Sequence, residues 1–253
     1  MIQDNTSSPT RAWADWVGST TAKVMAQIDA AFPGRVIGAQ LIHGVSSEGN
    51  YPADWSSHME GFKTPNAFGN YWADHSVGAA SDFCRKQTPP PATCTIPTAM
   101  QRNRPTRGST LVTADTAAGA AVVAYNRFIN VQMAAGIASV GAALKRASGG
   151  RAFTTTLYGG ILNAAAYATA GGDSAETEML QLKGIDGIGN PPMYDPPSRS
   201  DDGTMAPQGP WDSPKVHDKL YVVEYDQRTY LDSHQPGNVR WRCFLDLPRC
   251  SSR

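Results

Sequence analysis

Four apolar runs, each parted from the next by far more chain than a hairpin needs, restrict this sequence more than any other feature. They are "PGRVIGAQLIHG", "RAFTTTLYGG", "IDGIGN" and "DKLYVVEYD". Antiparallel neighbours can be joined by two residues, whereas parallel neighbours need a crossover of about a dozen or more. The first run is a continuous apolar stretch, the pattern of a strand buried on both faces. Helical patterns fill the gaps. "SPTRAWADWVGSTTAKVMAQIDAAF" spaces Trp13, Trp16, Val17, Val24, Ile28 and Phe32 as an amphipathic helix. "HSVGAASDFCRKQ" reads as a short helix and "AETEMLQLKG" as another. The longest lies in "LVTADTAAGAAVVAYNRFINVQMAAGIASVGAALKRASGG", with Asp115 or Thr113 to cap it, Lys145 and Arg146 in its last turn, and Gly149-Gly150 to stop it. The fold class expected is therefore α/β with parallel strands, as a (β/α) barrel or a doubly wound sheet.

The length of 253 residues suits one large domain or two small ones, and leans towards one. Lys+Arg and Asp+Glu both number 22, so the net charge is zero. That balance lacks the basic excess of a nucleic-acid or anionic-membrane partner, and suits a neutral polar ligand. No run of about 18 apolar residues marks a membrane span, and the first residues carry no basic and apolar pattern of a secretory signal. The compartment is left open. Cys84, Cys94, Cys243 and Cys250 are too widely spaced for a compact zinc site, so neither metal nor cofactor is expected, while disulfides stay open. No GxGxxG follows a strand and no GxxxxGK[ST] occurs, which removes the usual nucleotide-binding signatures.

In a (β/α) barrel the working groups sit at the carboxyl ends of the strands. Here "VIGAQLIHGVSSE" delivers Glu48 just past one strand, and "KLYVVE" delivers Glu224 at the end of another. Parallel strands put both on one face. Two carboxylates on different elements are what glycoside hydrolysis requires, one to protonate the leaving oxygen and one to attack the anomeric carbon or activate water.

Several longer stretches carry a resemblance. "AWADWVGSTTAKVMAQIDAAFPGRVIGAQLIHGVSSEGNYPADW" resembles the middle of the barrel in β-galactosidase-like enzymes related to glycoside hydrolase family 42, in clan A. "YWADHSVGAASDFCRKQ" is similar to the Asp-Tyr-Ser and helix segment that follows there, and "YNRFINVQMAAGIASVGAALKRASGGRAFTTTLYGG" to a helix leading into a Phe-Tyr-Gly strand. "IDGIGNPPMYDPPSRSDDGTMAPQGPWDSPKVHDKLYVVEYDQRTYL" is the most specific match, ending in a Glu-x-Asp-x-Arg-Thr nucleophile strand. The likeness covers roughly residues 8 to 232. It implies a retaining glycoside hydrolase with Glu48 as acid/base and Glu224 as nucleophile, their carboxyl groups about 5 to 5.5 Å apart. It also implies that Tyr194 hydrogen-bonds the nucleophile and that Arg228 supports it or the site rim. Asn190, Trp211, Tyr51 and Trp55 join these as expected carbohydrate-binding residues, the aromatics by stacking on sugar rings. Trp72 is a further loop aromatic, and His43 and His217 read as structural.

The match is not uniform. Ser47 stands where clan A enzymes commonly have Asn before the acid/base, and Gly49 follows Glu48 in place of Trp. The strands correspond to four, five, six and seven of an eight-stranded barrel, and the tail 233–253 resembles no further part of it. An incomplete (β/α)8 barrel is thus expected, one partial catalytic domain over 1–253. Either it is part of a larger product, or another chain completes it, or the reading frame is aberrant. The alternative function is a non-catalytic carbohydrate-binding or degenerate hydrolase fragment.

Overall fold

All four runs form strands. In the computed structural model, which describes residues 11–41, 77–87, 93–98, 101, 115–158, 174–190 and 209–223, β1 is Gly38–Leu41, β2 Phe153–Leu157, β3 Gly187–Asn190 and β4 Leu220–Val223. They make one sheet in the order β1-β2-β3-β4, and every pair is parallel. The expected α/β class with a parallel sheet is what the chain adopts. The helices are α1 Arg11–Ala31, α2 Val77–Lys86, α3 Ala117–Ala147, α4 Glu176–Gln181 and α5 Asp212–Val216.

The register defines two faces. Leu41, Thr156, Ile188 and Tyr221 pair in one row across all four strands. Side chains alternate along a strand, so Tyr158, Asn190 and Val223 extend that face towards the carboxyl ends. Leu41, Tyr158 and Ile188 belong to the hydrophobic core with α3, which makes this the helix-covered face. The opposite row, Gln40, Thr155, Gly187 and Leu220, points away from the helices.

The long helix α3 organises the core. Tyr125, Ile129, Met133, Ile137, Val140 and Leu144 recur every three or four residues and are all buried, which lays one continuous stripe along the helix. Its length and mean hydropathy would fit a bilayer, yet 56% of its most apolar window is buried inside the fold, as in a core helix. Thr116, rather than Asp115 or Thr113, is the cap: its Oγ1 accepts a hydrogen bond from the Gly119 amide at 3.0 Å. Gly149 and Gly150 end the helix with φ of 63° and 83°, a left-handed turn that glycine adopts without Cβ strain.

Helix α1 packs on α3, but not by the face its large residues suggested. Ala14, Gly18 and Met25 are buried, while Trp16, Val24, Ile28 and Phe32 are exposed. The cause is close approach: a Cβ added at Gly18 would stand 3.0 Å from the Ala143 Cβ. Small residues win that contact and the bulky ones turn outwards. Strand β1 likewise departs from a strand buried on both faces. Only Leu41 is fully buried, and Ile37 just before it is 81% exposed, because β1 lies at the edge of the described sheet. Cys84 and Cys94 form a disulfide that ties α2 to residues 93–98. Phe83 meets Tyr125 edge-on at 5.1 Å, so the tie also secures a core aromatic.

Charges collect at the amino ends of the strands. Lys145 donates to both oxygens of Asp186 at 2.7 and 2.6 Å, and Asp186 also accepts from the Thr154 amide at 2.8 Å. Burial pushes the Asp186 carboxyl up, but the Lys145 and Thr154 hydrogen bonds and the Lys145 charge outweigh it, leaving it below its ordinary range. Lys219 is buried and donates to the carbonyls of Leu182 and Ile185 at 2.8 and 2.5 Å. It thereby satisfies carbonyls beyond the end of α4. In α/β architecture this is the pole of stability.

Candidate functional site

The opposite pole, at the carboxyl ends of the strands, is built from hydrogen-bonded side chains that differ in kind. Asn190 ends β3 and is 3% exposed. Its Nδ2 donates to the Tyr158 carbonyl at 2.5 Å, and its Oδ1 accepts from the Tyr221 hydroxyl at 3.0 Å. One amide therefore links the residue following β2 to a residue of β4. Tyr158 carries the linkage inwards. Its hydroxyl accepts from the Ala175 amide at 3.1 Å and donates to the Asn130 carbonyl at 3.3 Å. The Asn130 side chain accepts from Ser174, from the amide at 2.7 Å and the hydroxyl at 2.8 Å. The sheet ends are thus tied to α3 and to the start of α4 by a buried network. Buried polar groups of this sort impose geometry because an unmade bond costs about 1–3 kcal/mol.

Glu176 stands beside this network in the first turn of α4. It is 8% exposed, and its Oε2 is buried without a hydrogen-bond partner among the described residues. Burial pushes its carboxyl up to about 7. Tyr221 is pushed up to about 12, first by its own burial and then by the nearby Glu176 charge. The Tyr221 hydroxyl therefore keeps its proton and remains a donor to Asn190 at any physiological pH.

The residues expected from the sequence divide in two. Asn190 and Trp211 fall in the described structure. Asn190, expected as a sugar ligand, has its side chain on the helix-covered face, hydrogen-bonded to Tyr158 and Tyr221. Trp211, which precedes α5, is 57% exposed, so its indole is open to a ligand. His217 follows α5 as its cap, its amide donating to Pro214 O at 3.0 Å, a structural place. Glu48, Glu224, Tyr194, Arg228, Tyr51 and Trp55 lie outside the described residues, as do Trp72, His43 and the tail 233–253. Among the described residues no group of three His, Cys, Asp or Glu could hold a metal ion.

Tyr158, Tyr221 and Glu176 were not singled out by sequence. Tyr158 and Tyr221 sit in apolar runs where a tyrosine reads as core filler, and "AETEMLQ" reads only as a helix start. Their roles arise from partners far away in sequence. No family model matches the chain, and no curated protein and no solved structure matches it either.

Proposed function

We propose that this chain is a partial (β/α)8 glycoside hydrolase of the β-galactosidase-like type, acting with retention through Glu48 and Glu224. The observation that carries the reading, beside the sequence resemblance, is the unbroken parallel order β1-β2-β3-β4. It gives the four strands one common carboxyl edge. In the sequence Glu224 is the next residue after β4, and Glu48 comes in the segment that follows β1. The two acids thus leave strands three steps apart, the separation of strands four and seven of a clan A barrel. By strand alternation Leu220 and Val222 share the face that points away from the helices. That face is the lumen of a closed barrel.

In this mechanism Glu224 attacks the anomeric carbon while Glu48 protonates the departing oxygen. Water then hydrolyses the glycosyl-enzyme with Glu48 as base. The two steps ask opposite things of the acids: Glu224 must be ionised and Glu48 must hold a proton. Hydrolysis of an aryl β-galactoside tests the proposal. Glu224→Gln is expected to abolish turnover with folding intact, and Glu48→Gln to slow it by about 10²–10⁴-fold, the range for loss of a general acid. Wild-type rates in Glu224→Gln would refute the assignment. The exposed Trp211 favours a second reading, sugar binding without turnover. That reading predicts calorimetric binding of galactosides by the wild type, lost in Trp211→Ala, with no release of the aryl group.

A further inference from the structure

Resting on the glycosidase reading, we propose that Asn190 is a positioning residue, which holds the ends of β2, β3 and β4 in one register and so fixes where β4 delivers Glu224. Asn190 pairs with Val223 across the β3–β4 ladder, and Val223 is the residue before Glu224 in the sequence. On the other side the Tyr158 amide donates to the Gly189 carbonyl at 2.8 Å, which extends the β2–β3 pairing past the last residue of β2. The Asn190 side chain spans both neighbours at this level, donating to the Tyr158 carbonyl and accepting from Tyr221.

An asparagine is suited to this because its amide both donates and accepts. An aspartate could accept from Tyr221 but would repel the Tyr158 carbonyl, and a leucine could do neither. Tyr158 is itself anchored through Asn130 and Ala175, so the strut ends on α3 and α4 rather than on a free loop. Ladder hydrogen bonds alone leave the last residues of four- and five-residue strands free to fray. A cross-strand amide at that level removes the freedom where β4 ends. Misplacement by about an ångström can cost a factor of about 10² in rate.

Tyr221→Phe and Asn190→Ala in the full chain test this, assayed on an aryl β-galactoside across pH with melting temperatures in parallel. Tyr221→Phe removes only a hydroxyl and keeps the ring, so it carries the test should Asn190→Ala fail to fold. The expected result is a fall in kcat of about ten- to a hundredfold with KM held within about twofold. The acid limb of the kcat/KM profile is also expected to move, because the surroundings of the nucleophile change with the position of the β4 end. A role in folding alone would lower the amount of active protein and leave that limb in place. Turnover in the wild type, with kcat and pH profile unchanged in Tyr221→Phe, overturns the positioning role and leaves the glycosidase reading standing. Absence of turnover in the wild type overturns both.

Discussion

Glu176 sits where an acid gains little from ionising. Its carboxyl is buried and Oε2 is unpartnered among the described residues, so the charged form loses water without gaining a donor. With the folded value about 7 against an ordinary 4.5, the folded chain holds more protons than the unfolded chain between those two pH values. Stability therefore falls as pH rises from about 4.5 to 7 and is flat above. The penalty at pH 8 is about 3 kcal/mol by linkage. Glu176→Gln keeps the shape and removes the charge. Urea unfolding is expected to show the variant more stable than wild type at pH 8 and close to it at pH 5. Equal loss of stability at both pH values would show that the carboxylate is partnered and useful. None of this could be read from "AETEMLQ", because the burial comes from elements distant in sequence. Asn190 shows the same limit: "IGN" marks a strand end, but nothing local says that both ends of the amide are already taken.

Among the elements, the four strands and helices α1 to α4 were legible in the sequence because local pattern decides them, whereas α5, Asp212–Val216, falls where 190–214 reads as a Pro/Gly/Asp loop. Apolar runs with long crossovers gave four parallel strands, and Gly149-Gly150 marked the stop of α3. The packed face of α1 was not legible, since closeness of approach selects Gly18 and Ala14 over Trp16, and hydrophobicity points the other way. Cysteine pairing needed the fold as well. The Cys84–Cys94 bridge closes a short loop, separation 10, and stabilisation by loop entropy is a little under about 3 kcal/mol. Its anchor is the contact of Phe83 with Tyr125 and Phe128, so loosening the loop also loosens a core cluster. Cys84→Ser with Cys94→Ser is expected to lower the melting temperature by about 5–10 °C in a chain of this size. A scan of wild type in reductant should approach the same value. An unchanged melting temperature in both would mean that the bridge constrains nothing the unfolded chain explores. A disulfide also favours an oxidising compartment, which the sequence had left open.

The whole molecule raises the question of its edges. Among the described residues β1 and β4 bound the sheet, and "GAQL" and "LYVV" contain no charge and no proline. Natural edge strands are usually blunted by such residues, by bulges or by a covering element, because unpaired backbone groups recruit other strands. Leu220 in β4 is 60% exposed and points away from the helices, and Val223 is exposed as well. An eight-stranded barrel, as proposed, would pair both edges and cover the face of Leu220 at once, in keeping with edges that are bare among the described residues. The order of strands could be anticipated from the sequence, whereas the exposure of these edges depends on what the rest of the chain does. A charge on the open face separates an edge made for pairing from one that merely tolerates water. Leu220→Lys is expected to leave the unfolding midpoint within about 0.5 kcal/mol of wild type, as for an exposed site. Association at high protein concentration, read by sedimentation velocity, should fall in the same variant, since an edge lysine disfavours strand addition. Should Leu220→Lys instead unfold the chain, Leu220 is packed in solution and the sheet is already closed on that side. Unchanged association with intact folding would place the sticky surface elsewhere, and the exposed outer face of α1, with Trp16, Val24 and Ile28, becomes the next to change.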